Sequence, residues 1–377
     1  MKKRSLVRAL ALVCALLSTL GAVVCIHAAP DVSAQSAILM EAESGKVLFQ
    51  KNAFVRLPMA STTKIMTAIV AIESGNIGRT VEISPKAVGV EGSSIYLCPG
   101  ERLTLEQLLY ALLLESANDA ATAIAIEVAG SVEAFATLMN KKARDIGLTA
   151  THFTNPHGLD HGEHYTTAYD LAKLTRYALF NDTFRKMCAT VRMTIPLKET
   201  EGTRVLINHN KMLSRYSGAI GVKTGFTKKS GRCLVSAAEK DGMTLIAVTL
   251  NAPNDWNDHE RMLDFGFSKY KRLRLVATSE PVGTLSVTGG QAEQVTVCAA
   301  EELSALIPTD HGAISMRIEA SRVLFAPIKK GDVLGKVIYC CDGKDVAEVA
   351  LIANETVDCK KAERKGFFSW IKTFFFR

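Results

Sequence analysis

Two short strand-like runs, residues 36–41 and 46–50, are parted by a turn at Ser44-Gly45 and predict a hairpin. The next apolar stretch, residues 65–72, has almost no polar side and closes at Gly75-Asn76. A helix apolar nearly all round is a buried one. From Thr104 to about Phe180 the period is helical, with capping-box patterns at Thr104-x-x-Gln107 and Thr167-x-x-Asp170 and an N-cap at Ser131. Three strand patterns follow at 218–225, 232–239 and 243–250, the last two joined by Asp241-Gly242, a tight-hairpin signal. A helix over about 257–268 ends this unit and runs into Lys269 to Arg274, which reads as a solvated charge run. Beyond it lie short strand-like runs at 285–287, 294–297, 315–318, 333–339 and 346–352, punctuated by Gly289-Gly290, Gly331-Asp332 and Asp342-Gly343. That texture predicts a small all-β domain, a sandwich.

A length of 377 residues exceeds what one core usually organises, which agrees with two units. The pattern divides the chain into an α/β unit at 30–272, with an antiparallel sheet flanked by a helical cluster, and an all-β unit at 273–358. Residues 1–29 read as a secretory leader: Lys2, Lys3, Arg4 and Arg8, an apolar centre, then small Ala28 and Ala29. Residues 359–377 are basic, and Phe367, Trp370, Ile371 and Phe374 recur at helical spacing opposite Ser369, Lys372 and Thr373. An amphipathic helix lying on a membrane surface is the expectation. The protein is therefore expected outside the cytoplasm, at the outer face of the cytoplasmic membrane.

The position of the charges along the chain matters more than their sum. The formal +7 includes four cations of the leader and a surplus of five in the tail, so residues 30–358 carry −2. No basic face is available for nucleic acid. Of nine cysteines, Cys14 and Cys25 fall in the leader. The remaining seven are an odd number with no C-x-x-C pair, and read as small buried hydrophobes rather than a disulfide framework or a zinc site.

Three strings carry candidate chemistry. Ser61-x-x-Lys64 places a hydroxyl and an amine on one face of a helix start, within hydrogen-bond reach. The same string occurs at Ser268 to Lys271 and Ser369 to Lys372, but only Ser61 opens a buried helix. Ser116-Ala117-Asn118 lies at a helix junction, whereas its look-alike Ser74-Gly75-Asn76 is a helix stop. As helix caps, Ser116 and Asn118 would need no catalytic role. Lys223-Thr224-Gly225 ends a strand pattern, and a lysine beside a glycine that admits a close backbone suits a carboxylate. Lys229-Ser230-Gly231 sits in a polar turn, which accounts for it.

The order S-x-x-K, S-x-N, K-T-G resembles the penicillin-recognising serine enzymes. Within them, Pro58 to Ala68 and Asn155-Pro156-His157-Gly158-Leu159-Asp160 are similar to the low-molecular-mass serine D-alanyl-D-alanine carboxypeptidases, and the likeness runs from about Ser36 to Phe267. The resemblance implies an α/β (α+β) fold of the serine β-lactamase/transpeptidase type followed by the β domain. It implies that Ser61 attacks the bond between the last two D-alanines of a peptidoglycan stem peptide, that neutral Lys64 is the base, and that β-lactam antibiotics trap the enzyme. Burial, the helix N-terminus and Lys223 would all depress Lys64. Ser116 would relay the proton and Asn118 would hold the substrate amide. Lys223 and Thr224 would bind the terminal carboxylate beside Gly225. The backbone N–H groups of Ser61 and Phe226 would form the oxyanion hole. No cofactor or metal is implied.

Rival readings are open to test. A serine β-lactamase shares the strings but needs a carboxylate to activate water; Ala117 stands where class A enzymes carry Asp, and Glu163 is the only glutamate between Phe153 and Thr166. His157, His161 and His164 could suggest a metal hydrolase, but they lie in a Gly-punctuated loop without H-E-x-x-H spacing. A D,D-endopeptidase or a catalytically silent wall-binding protein would keep the same fold.

Overall fold

The structure is a computed structural model that describes residues 29–197 and 202–361. Residues 1–28, where a leader is expected, and residues 362–377, where an amphipathic helix is expected, lie outside the described residues. The first unit contains β1 (Ser36–Glu41), β2 (Val47–Lys51), α1 (Lys64–Glu73), β3 (Thr80–Glu82), β4 (Arg102–Thr104), α2 (Leu105–Leu114), α3 (Asn118–Ala129), α4 (Val132–Ile146), α5 (Ala168–Leu179), α6 (Asp182–Ala189), β5 (Arg192–Pro196), β6 (Thr203–Ile207), α7 (Met212–Arg215), β7 (Ala219–Thr227), β8 (Gly231–Lys240), β9 (Met243–Leu250) and α8 (Asp255–Lys269). Its sheet is antiparallel in the order β2-β1-β9-β8-β7, so β7 is an edge strand.

The alternation of side chains along the strands builds two layers of core. Ile38 and Met40 of β1, Val235 and Ala237 of β8, and Ile246 and Val248 of β9 face the helical cluster of α1 to α6. Ala37 and Leu39, Leu234 and Ala238, and Leu245 and Ala247 face the other way, onto Met262 and Leu263 of α8. Both faces of the central strands are covered, which is why β1 reads as an unbroken apolar run. Gly266 lets α8 come close, since a Cβ there would lie 2.5 Å from Leu245 Cδ1. The helix α1 is buried along most of its length, as its uniform apolarity predicts.

Local signals explain most boundaries. Thr104 forms the full capping box of α2, accepting from Gln107 N–H at 3.1 Å while its own N–H donates to Gln107 Oε1 at 2.8 Å. Ser131 caps α4 by accepting from Ala134 N–H at 3.1 Å. Thr167 makes only half a box: it accepts from Asp170 N–H, but the Asp170 carboxylate turns to Ala150 N–H and Thr151 Oγ1, both at 2.8 Å. Asp241 and Gly242 have φ of +50° and +72°, the left-handed pair that a two-residue hairpin requires.

The second unit contains β10 (Tyr270–Val276), β11 (Pro281–Thr288), β12 (Gln294–Ala299), β13 (Leu303–Pro308), β14 (Ile314–Ala320), β15 (Leu324–Phe325), β16 (Val333–Cys341) and β17 (Lys344–Ala353). Six of these form a sheet in the order β14-β16-β17-β12-β11-β15, and the β10–β13 pair packs across it through Val276, Val297, Val337 and Leu351. The unit is all-β, as its punctuated pattern predicts. One reading is corrected: residues 270–274 are not a solvated charge run but strand β10, paired with β13. Leu273 and Leu275 pack on Ile307, while Lys271 and Arg274 point to solvent, so the cations mask an alternating strand. The described cysteines are all free thiols; five are buried, and Cys98 and Cys359 are exposed.

Candidate active site

Ser61 sits in a single 3-10 turn, Ala60–Thr63, that leads directly into α1. Ala60 has φ of +46°, a left-handed conformation that a non-glycine residue adopts at a cost of about 1–3 kcal/mol. The turn places Lys64 one helical step below Ser61, with no exposed surface. The Lys64 amine reaches three oxygens: Ser61 Oγ at 2.8 Å, Asn118 Oδ1 at 2.7 Å and the His157 carbonyl at 2.7 Å. Asn118 is held in this orientation because its Nδ2 donates to the Glu91 carbonyl, under a glycine, Gly92, whose Cβ would lie 2.8 Å from that nitrogen.

The protonation state of this amine decides what the trio can do. Burial is the largest influence and drives the Lys64 pKa well below its ordinary value; the Lys223 charge adds to the fall, and Asp119 opposes it. A neutral amine has two protons and one lone pair. In the neutral form its two N–H groups would go to Asn118 Oδ1 and the His157 carbonyl, neither of which can donate in return, and the lone pair would be left for the Ser61 hydroxyl.

The other strings arrive from different elements. Ser116, at φ +59° between α2 and α3, is nearly buried, and no hydrogen bond among the described residues involves its hydroxyl. Asn118 opens α3; its N–H donates to the Ser93 carbonyl at 2.7 Å, and neighbouring Asp119 accepts from Ser94 Oγ at 2.7 Å and Leu97 N–H at 3.0 Å. Edge strand β7 brings Lys223, Thr224, Gly225 and Phe226. Lys223 is 1% exposed, and burial alone draws its pKa down to about 7. Gly225 admits the Ser61 turn: a Cβ there would lie 2.9 Å from Ser61 N and 3.1 Å from Thr62 N.

Ser61, Ser116, Thr224, Gly225 and Phe226 line one cavity of about 570 Å³. Lys64 and Asn118 meet it through Ser61, and Lys223 lies buried next to Thr224, donating to its carbonyl at 2.9 Å. Three stretches far apart in sequence therefore border one cavity. Sequence reasoning missed the far wall of the cavity, where Arg232 donates to Asp255 at 3.0 Å and stacks over Trp256. It also missed the His157 carbonyl, because a backbone acceptor leaves no residue-type signal.

The histidine loop serves the turn. Asn155 Oδ1 accepts from Gly158 N–H at 2.7 Å, and the Pro156 carbonyl accepts from Thr67 Oγ1 of α1 at 2.6 Å. Both ring nitrogens of His164 are engaged by the chain. Burial lowers His157 to about 3 and His164 to about 4, so both rings are neutral at pH 7. Glu163 is exposed and its side chain is not part of the cavity wall.

The family model described as D-alanyl-D-alanine carboxypeptidase matches residues 24–254. The chain belongs to that family. A second model, the C-terminal domain of penicillin-binding protein 5, matches residues 270–358. Among curated relatives, D-alanyl-D-alanine carboxypeptidase DacF of Bacillus subtilis is 36% identical over 90% of this chain and 88% of its own length. DacC of Escherichia coli is 35% identical over 92% of this chain and 88% of its own length. Among solved structures, penicillin-binding protein 5 of Haemophilus influenzae superposes with a TM-score of 0.73 at 28% identity, covering 88% of this chain and 99% of that one. The Streptomyces K15 DD-transpeptidase matches 64% of this chain and 99% of its own, with a TM-score of 0.61 and 35% identity. As a member of the D-alanyl-D-alanine carboxypeptidase family, the chain is a serine hydrolase with the two-unit architecture of penicillin-binding protein 5.

Proposed function

We propose that this carboxypeptidase removes the terminal D-alanine of peptidoglycan stem pentapeptides through an acyl-enzyme on Ser61. Neutral Lys64 takes the Ser61 proton as Oγ attacks the carbonyl between the two D-alanines. The carbon–nitrogen bond breaks, the departing D-alanine amine takes a proton through Ser116, and water then hydrolyses the ester. Lys223 and Thr224 hold the terminal carboxylate, Asn118 lies beside the scissile region, and the Ser61 and Phe226 N–H groups face the developing oxyanion. The observation that carries the reading is the Lys64 amine, fully buried, with two carbonyl acceptors and the Ser61 hydroxyl at 2.8 Å.

The same arrangement would be trapped by β-lactams, whose ring carbonyl mimics the scissile amide. Asp255, a carboxylate on the cavity wall, is engaged by Arg232, and Glu163 is absent from that wall, so slow deacylation is expected rather than β-lactamase turnover. The leader and basic aromatic tail read from the sequence support a location at the outer face of the cytoplasmic membrane. Cutting the chain after residue 361 should then release it from membranes without loss of activity on soluble peptide. The direct test is D-alanine release from a soluble pentapeptide. Native chain should release it and Ser61→Ala should not; equal release by both would remove Ser61 from the mechanism.

A further inference from the structure

The turn that carries Ser61 is held from behind by a hydrogen-bond chain with no part in the mechanism above. Thr154 N–H donates to His164 Nδ1 at 3.0 Å, and His164 Nε2 lies 2.8 Å from Thr63 Oγ1. Thr63 Oγ1 donates to the Ala60 carbonyl at 2.7 Å. A ring nitrogen that accepts a backbone N–H carries no proton, so the neutral imidazole has its proton on Nε2. The single Thr63 hydroxyl proton goes to Ala60, so that hydroxyl accepts from His164. Thr154 Oγ1 is a second neighbour of Nδ1 at 3.2 Å, and both the Thr63 and His164 side chains are buried.

The chain ends on a constrained peptide. Ala60 has φ of +46°, and Gly158 presses on its carbonyl so closely that a Cβ there would lie 1.9 Å from the oxygen. In a planar trans peptide the carbonyl and the following N–H point in opposite directions. Whatever fixes the Ala60 carbonyl therefore also aims the Ser61 N–H. Ser61 N lies against β7, because a Cβ on Gly225 would be 2.9 Å away. A threonine hydroxyl that bonds three residues back is common at helix starts. This one has a second, buried partner 101 residues away, which orients it from outside the helix.

We propose that Thr63, oriented by His164, is a positioning residue that aims the Ser61 N–H across the cleft and so sets the rate of acylation. The inference rests on Ser61 being the nucleophile. A displaced oxyanion donor weakens bonding to the transition state more than to the ground state, so the defect belongs to the chemical step.

The test is the rate of labelling of the full chain by a fluorescent penicillin across a concentration range, which separates encounter affinity from the acylation step. Thr63→Val keeps the shape and removes the hydroxyl, whereas Thr63→Ser keeps the hydroxyl. His164→Leu removes both ring nitrogens, whereas the amide of His164→Gln can accept from Thr154 and donate to Thr63. The acylation step should slow by about tenfold to a hundredfold in Thr63→Val and His164→Leu, with encounter affinity held within about twofold. Thr63→Ser and His164→Gln should recover most of the native rate. A Thr63→Val rate equal to native, an equal loss in Thr63→Ser, or a defect confined to encounter affinity would overturn the proposal. If His164→Leu does not fold, the Thr63 pair decides alone. A native chain that takes no label, or a Ser61→Ala chain that labels equally, would instead sink the assignment of the nucleophile, and this inference with it.

Discussion

Lys223→Met should make the protein more stable, by an amount that fades as pH rises. Lys223 is 1% exposed, and its pKa falls from 10.5 to about 7 because burial disfavours the charge. The folded pKa lies below the unfolded one, so between pH 7 and 10.5 the unfolded chain holds a proton that the folded amine has lost. Stability therefore rises with pH through that window, and below it the penalty is constant and largest. At about 1.4 kcal/mol per pH unit the whole fall corresponds to roughly 5 kcal/mol, and to roughly 3 kcal/mol at pH 8. Methionine fills nearly the same volume without a charge to desolvate. Urea unfolding followed through Trp256 reports on the first unit, where Lys223 lies. Native and variant chains compared at pH 6, 8 and 10 should differ by roughly 5, 3 and less than 1 kcal/mol. The same variant should lose capture of the substrate carboxylate, so its stability would rise as its function falls. A gain that is equal at pH 6 and pH 10, or a variant less stable than native at pH 6, would show that Lys223 carries no desolvation penalty in the folded chain.

Gly225→Ala should fold yet acylate at least about tenfold more slowly, because its Cβ meets the Ser61 and Thr62 backbone rather than a side chain that can move; penicillin labelling beside a thermal melt checks both halves. Gly158→Ala should lower stability by about 3 kcal/mol or more, since φ of +90° and a 1.9 Å approach to the Ala60 carbonyl leave no room, and chemical denaturation measures it. The pH profile of kcat/KM on a pentapeptide should be bell-shaped. On the proposed mechanism it falls on the acid side as Lys64 gains the proton that blocks its lone pair, and on the alkaline side from about pH 7 as Lys223 loses the charge proposed to hold the carboxylate. Lys223→Arg, which stays charged, should flatten the alkaline limb alone.

What could be read from sequence follows how local the cause is. The hairpin at Asp241-Gly242, the capping box at Thr104 and the buried helix α1 each follow from residues a few positions apart, and their boundaries fall within about two residues of the pattern. The three strings could be placed on a helix start, a helix junction and a strand for the same reason. Strand β10 was hidden because its cations alternate with leucines, and only pairing with β13 shows which face is buried. The paired Arg232 and Asp255, the His157 carbonyl and the chain from His164 to Ala60 depend on contacts between distant segments. No spacing in one sequence encodes them. The histidine loop shows the limit well: its residue types suggest a metal, whereas its bonds tie it to the turn that carries Ser61.

The central claim is that the Ser61 hydroxyl is the nucleophile and that neutral Lys64 activates it. Peptide mass mapping after brief incubation with benzylpenicillin, on native chain and on Lys64→Met, tests this most directly. The account predicts one adduct, on the peptide containing Ser61, forming at least about a hundredfold more slowly in Lys64→Met. An adduct on another residue, or equal rates in the two chains, would contradict it.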